Sequence, residues 1–236
     1  MRTLVFDIET IGEKYEKMDV TTQEVLTHWL HKTSATDEEF EAGLEDIKNG
    51  LGFSPYTGEI VAIGLYDLEH KKGVVYYQAP EQHNDDEEHD GVVLKQMTER
   101  EMLEAFWKGA REYEVFVTFN GRAFDAPFLA VRSAVHQMRP TCDLLSNRYL
   151  SLQRGCKHVD LLDQLSFYGA VWKGKPNLHL ACRAFNIPSP KAQGVTGDDV
   201  AMLFSQKRYK DIAQYNIRDI LSTAQLYEYW CTYLRA

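Results

Sequence analysis

Apolar residues fall into short runs and helical stripes along the chain. Five runs read as buried strands. They are Leu4-Val5-Phe6, which ends in acids, residues 58–67, residues 73–79 with Val74, Val75, Tyr76 and Tyr77, residues 115–119 and residues 157–161. The polar link from Glu69 to Lys72 predicts a hairpin between the second and third. A capping box, Thr98-x-x-Glu101, precedes Met102, Leu103, Phe106, Trp107 and Ala110 at helical spacing. A further helix starts near Pro127, with Phe128, Leu129 and Val135 on it, and a long one runs from about Tyr209 to Leu234.

Two stretches interrupt this alternation. Residues 11–57 carry their own helix signals: Val25, Leu26, Trp29 and Leu30 in one, and Thr36-x-x-Glu39 followed by Phe40, Leu44 and Ile47 in the other. They read as a helical insertion on a single domain spanning residues 1–236. Residues 81–90 are an acidic run with two histidines. They read as a solvated loop, a peripheral metal site being the lesser reading.

Composition removes several classes. Hydrophobic residues at 44% and charged residues at 26% exclude wholesale disorder. No apolar run approaches the roughly 20 residues of a membrane-spanning helix, and Asp7 comes too early for a signal peptide. Four scattered cysteines (Cys142, Cys156, Cys182, Cys231) offer no zinc spacing and fit a reducing cytoplasm. A net charge of -9 argues against coating duplex DNA by charge alone. It leaves room for an enzyme that holds nucleic acid locally through metal ions.

Three elements carry candidate chemistry. Asp7-Ile8-Glu9 places two carboxylates on one side of a strand, and they are expected to emerge at its C-terminal end, the edge where α/β sheets bind ligands. The same spacing occurs in Asp37/Glu39, Asp85/Glu87 and Asp86/Glu88, so position alone distinguishes the first pair. Next, an apolar strand runs into Asn120-Gly121-Arg122-Ala123-Phe124-Asp125-Ala126-Pro127. Asp125 is either a helix cap before Pro127 or an acid facing Asp7 across neighbouring strand ends. Last, Tyr215 and Asp219 are four apart on a helix, in a largely apolar stripe with Ile212, Thr223, Leu226 and Trp230. An acid there must be paired, metal-bound or at a cleft.

In order, FDIET (6–10), NGRAFDAPFL (120–129) and YNIRD (215–219) resemble the three exonuclease motifs of the DEDD superfamily. Tyr215 puts the likeness in the tyrosine branch, since the position where the histidine branch has its His is Gln214. The sequence is most similar to the proofreading exonuclease domain of family B DNA polymerases and its bacterial stand-alone relatives. With 236 residues leaving no room for palm and fingers, a free-standing exonuclease is expected.

The resemblance implies a ribonuclease H-like α/β fold: a mixed five-stranded sheet flanked by helices, the first three strands antiparallel neighbours and the later ones parallel to the first. It implies 3′–5′ hydrolysis of single-stranded DNA, with RNA as the alternative, by two Mg²⁺ or Mn²⁺ ions. A silent binding module and a structure-selective endonuclease are the competing classes. Asp7 would bridge the ions, Glu9 and Asp219 complete the water-activating site, and Asp125 serves the leaving-group site. Tyr215 would position the attacking water. Thr10, Ile11, Asn120 and Phe124 would meet the substrate, Phe124 having core packing as its alternative. Arg218, Lys207, Arg208, Lys173 and Lys175 would either meet phosphates or be surface charge. Asp160 reads as a supporting acid, His158 as a hydrogen-bonding residue, and the 11–57 insertion as the surface for a protein partner.

Overall fold

The computed structural model describes residues 1–171, 174, 176–189 and 197–235. Its strands are β1 (Thr3–Gly12), β2 (Gly58–Asp67), β3 (Lys72–Tyr77), β4 (Glu87–His89), β5 (Val92–Gln96), β6 (Val115–Thr118) and β7 (Lys157–Asp160). The helices are α1 (Val20–Thr27), α2 (Leu30–Thr33), α3 (Asp37–Gly50), α4 (Glu99–Ala110), α5 (Asp125–Val135), α6 (Leu161–Leu165), α7 (Leu178–Ala184), α8 (Val200–Ser205) and α9 (Tyr209–Tyr233).

The strands form one mixed sheet in the order β4-β5-β3-β2-β1-β6-β7. β1, β2 and β3 are antiparallel neighbours, and β6 and β7 run parallel to β1, as expected. The fold is a ribonuclease H-like mixed α/β sheet, with seven strands where five are expected. The two extra strands overturn part of the solvated-loop reading of residues 81–90. Glu87–His89 pairs antiparallel with β5, and β5 extends the sheet parallel to β3. The signal was Asp90-Gly91, both at positive φ (53° and 76°), a turn that suits a tight hairpin. Acidic side chains on the short outer strand leave it without an apolar face, which hid it; charges are also how an edge strand avoids further pairing.

β1 also departs from expectation. It does not stop at Phe6 but runs ten residues to Gly12, with a register shift against β2 between Glu9 and Thr10. The acids therefore sit inside a strand instead of at its end. Between β1 and β2 the chain makes the helical excursion of α1–α3. Thr36 caps α3 as the box predicts, although Glu39 reaches the N–H of Ala35, one residue further back. Val25 and Trp29 do not form a core stripe and are exposed. Leu30 and Leu51 are the buried anchors, and the Thr10 hydroxyl donates to the Gly52 carbonyl at 2.7 Å.

The sheet separates two cores. Leu4, Phe6 and Ile8 pack with Met102, Phe106, Phe128 and Leu129 beneath α4 and α5. Val5 and Val117 pack on the other face with Ile212, Ile217, Ile220 and Leu226 of α9. The predicted α9 stripe is buried throughout, from Ile212 through Asp219 to Trp230. Among the described residues, no helix is long and apolar enough to cross a membrane.

His158 ties β7 to the turn after β6. Its Nδ1 lies 2.9 Å from the Leu144 carbonyl and must carry the proton, so Nε2 accepts from the Thr118 hydroxyl at 2.9 Å. That hydroxyl in turn accepts the Gly121 N–H, where a Cβ would stand 2.3 Å from the Thr118 oxygen. Burial outweighs the carbonyl bond, and with the charge of Arg122 it pulls the His158 pKa from 6.5 down to about 4. The folded value is depressed, so the unfolded chain takes up the proton first as pH falls. Stability present above pH 6.5 is lost on acidification toward pH 4, by on the order of 3 kcal/mol in full. His158→Gln should therefore lose melting temperature less steeply than wild type across that window; parallel curves would contradict the assignment.

Candidate active site

Alternate residues of a strand share a side, so Asp7 and Glu9 leave β1 on the face of Val5, the face crossed by α9. Tyr215 and Asp219 approach from α9, one helical turn apart. Asp7, Glu9 and Asp219 each offer a carboxylate oxygen, and these oxygens lie within 4.8 Å of one another. Glu9, Asp219 and Tyr215 are buried and Asp7 is half-buried.

Asp125 is outside this trio. It opens α5, but Phe124 occupies the cap position and Asp125 does not cap its own helix. Its Oδ1 accepts the N–H of Ile8 at 3.0 Å, between Asp7 and Glu9 in the chain. The reason is topological: β6 pairs with β1 only as far as Val5, and Asp125 takes up a β1 N–H beyond that point. Asp125 is thus no helix cap, and its carboxylate lies against the β1 backbone at Ile8.

The cluster is electrostatically strained. Asp7 is pushed well above the ordinary carboxylate range by burial and then by the charges of Asp125, Asp219 and Glu9. Glu9 is raised by burial and Asp219, with relief from a hydrogen bond to Asn216. Asp125 is pushed up to about 7, chiefly by burial, although its hydrogen bonds to backbone N–H groups oppose the rise. Tyr215 is held far above the usual phenol range by burial and by the charges of Asp219, Glu9 and Asp7, so it remains a protonated donor.

The expected substrate residues surround these groups unevenly. Asn120 sits in the left-handed region (φ 67°), its N–H held by Asp160 Oδ1 at 2.8 Å. Asp160 also accepts the N–H groups of Arg122 and Leu162, which makes it the strap of the 120–122 turn. Phe124 is half-buried against Phe128, with ring centroids 5.4 Å apart. Thr10 and Ile11 follow Glu9 on β1; the Thr10 hydroxyl is engaged by Gly52, and Ile11 packs against the α9-side core. Lys207 pairs with Glu81 and Arg208 with Asp211, the surface-charge reading of both. The Arg218 guanidinium lies 5.6 Å from the Tyr215 ring. Lys173 and Lys175 lie outside the described residues.

Sequence reasoning missed two contributions. A small cleft of about 160 Å³ joins Asp7, Tyr215 and Asp219 to Phe119, Asn177, Leu178 and His179. Asn177 caps α7, the one local signal in that segment, and only the packing of α7 on α9 brings it to the acids. The other is Asn216, whose Nδ2 donates to Asp7 Oδ2 at 2.8 Å and reaches Glu9 Oε1 at 3.4 Å.

A family model of predicted 3′–5′ exonucleases related to the exonuclease domain of PolB matches residues 59–235. The chain belongs to this family. The matched span carries Asn120, Asp125, Tyr215 and Asp219 of this PolB-related exonuclease and leaves out the Asp7/Glu9 strand. The fold is similar to that of the family B DNA polymerase from the hyperthermophilic archaeon Pyrobaculum calidifontis, at 17% identity and a TM-score of 0.58. That likeness covers 98% of this chain and 24% of the polymerase, so the chain spans about a quarter of that protein. No curated protein matches the sequence.

A PolB-related exonuclease implies divalent metal, and the donor set fits one. Hard cations favour carboxylate oxygen, and three such groups converge here, with Asp7 and Glu9 both held by the Asn216 amide. Repulsion of this kind is relieved by a cation or by removing an acid. In chelator, Asp7→Asn should therefore melt above wild type. Mn²⁺ should raise the melting temperature of wild type, by the equivalent of about 2.7 kcal/mol at a hundredfold excess over Kd, and do little for the variant. A variant that melts lower in chelator, or keeps the Mn²⁺ shift, would contradict a cation site at these acids.

Proposed function

We propose that this exonuclease uses two divalent ions, Mg²⁺ or Mn²⁺, to hydrolyse single-stranded DNA from its 3′ end, releasing nucleoside 5′-monophosphates. The observation that carries this reading is the convergence of Asp7, Glu9 and Asp219 beside a protonated Tyr215. Asp7 would be shared by both ions, Glu9 and Asp219 would hold the ion on the water side, and Asp125 would serve the leaving-group side. Bound there, the ions would acidify the attacking water and offset the charge gathering on the leaving oxygen. The Tyr215 hydroxyl donates a hydrogen bond and so orients that water; a phenol whose pKa is raised further cannot serve as the base at neutral pH.

DNA is preferred over RNA on the likeness to a DNA polymerase. Thr10, Ile11, Asn120 and Phe124 are read as lining the path of the 3′ end, with the Phe124 ring able to stack on any base. The chain is read as one exonuclease domain, placed in the cytoplasm. Val20, Val25 and Trp29, exposed on the 11–57 insertion, support its reading as a surface for a protein partner. The intact set of acids weighs against a silent binding module.

The test uses matched 5′-labelled DNA and RNA strands with Mn²⁺ or Mg²⁺ and single-turnover rates. Wild type should give a ladder shortening from the 3′ end, faster on DNA. Tyr215→Phe should slow it about ten- to a hundredfold, the loss of one positioning hydrogen bond worth about 1–3 kcal/mol. Asp219→Ala should be far slower. Internal cleavage, or a ladder on RNA alone, would overturn the proposed substrate and direction. A Tyr215→Phe enzyme as fast as wild type would remove the tyrosine from the chemistry.

A further inference from the structure

Besides Tyr215, α9 brings the uncharged side chain of Asn216 to the acids, and its surroundings give it one orientation. It is 0% exposed. An amide nitrogen carries two hydrogens, so Nδ2 can tie both Asp7 and Glu9 at once, at 2.8 and 3.4 Å. Turned round, the amide would aim its oxygen at two carboxylates. In the observed sense Oδ1 is buried and has no hydrogen-bond partner among the described residues. A buried carbonyl oxygen without a donor is unfavourable, and here it accompanies an amide whose donors are both directed at acids.

The place where Oδ1 rests is made by Gly64. This residue lies in β2 directly opposite Asp7. A Cβ at Gly64 would stand 1.9 Å from Asn216 Oδ1 and 2.9 Å from Ile220 Cγ2. Any side chain at 64 would force the amide away from the acids or lift α9 from the sheet. The φ of Gly64 does not demand glycine, so the need is for space alone.

We propose that Asn216, seated on Gly64, is a positioning residue that holds Asp7 and Glu9 with their oxygens converging on Asp219, so that the cation site is set before a cation arrives. The inference rests on reading the three acids as a cation site. Carboxylates that ligate metal are themselves hydrogen-bonded, and loss of such an outer partner typically weakens metal affinity about 10- to 100-fold.

The experiment is calorimetric titration of Mn²⁺ into folded wild type, Asn216→Ala, Gly64→Ala and the double variant, each first melted in chelator. Asn216→Ala and Gly64→Ala should each bind Mn²⁺ about 10- to 100-fold more weakly. The double variant should be little worse than Asn216→Ala, because both changes act through the same amide. A residue that merely fills space would shift the melting temperature and leave Mn²⁺ affinity as in wild type; that result overturns the proposal while leaving the cation site standing. Wild type that takes up no Mn²⁺ overturns both. Should the variants fail to fold, wild type still decides: the Asn216 side-chain amide protons should move on Mg²⁺ titration in NMR spectra, and unmoved signals would refute the proposal.

Discussion

Like charges drawn together out of water are the constraint around which this molecule is arranged. Asp7, Glu9 and Asp219 bring their oxygens within 4.8 Å of one another, and Asp125 adds its charge to Asp7 from beside the β1 backbone. Burial and mutual repulsion both oppose ionisation of such a group. The scaffold has to supply the stability that keeps them together. It does so with apolar packing on both faces of β1: Phe6 and Ile8 against α4 and α5 on one side, and Val5 with Ile217 and Ile220 of α9 on the other. Each buried aliphatic or aromatic side chain contributes about 1.5–3 kcal/mol, so the two cores can carry a strained site between them.

The parts of this arrangement legible in the sequence are those fixed by a local period. The two-residue period put Asp7 and Glu9 on one face, and the helical period put Tyr215 and Asp219 on one stripe among buried apolar residues. Asp125 was ambiguous because a helix start and a site acid look alike before Pro127; only the end of the β1–β6 pairing decides between them. The length of β1 was misread because acids inside a strand look like the start of a loop until their partners across the sheet are seen. Strand β4 was hidden by its charge, though Asp90-Gly91 marked its turn. Asn216 lies inside the third motif but has no local signal of its own, since its meaning lies in the missing side chain of Gly64 on another element.

The family match takes in Asp125, Tyr215 and Asp219 but not the whole site. The family match begins at residue 59, after the strand that carries Asp7 and Glu9. The fold completes the site by laying β1 between β2 and β6, with α9 packed across β1 and β2. The α1–α3 excursion is tied to the same strand through Thr10 and Gly52, and α3 begins with Asp37, Glu38 and Glu39. Acids so placed repel a nucleic-acid backbone.

The central claim is that the trio of acids holds a divalent cation, and anomalous diffraction tests it most directly. Crystals of wild type soaked in Mn²⁺ with a nucleoside 5′-monophosphate would be measured where manganese scatters anomalously. The account predicts a peak within bonding distance of Asp7, Glu9 and Asp219, and a second about 3.5–4 Å away beside Asp7 and Asp125. An anomalous map with no peak between the three carboxylates, or with its only peak on the acidic Glu87–His89 edge strand, would contradict it.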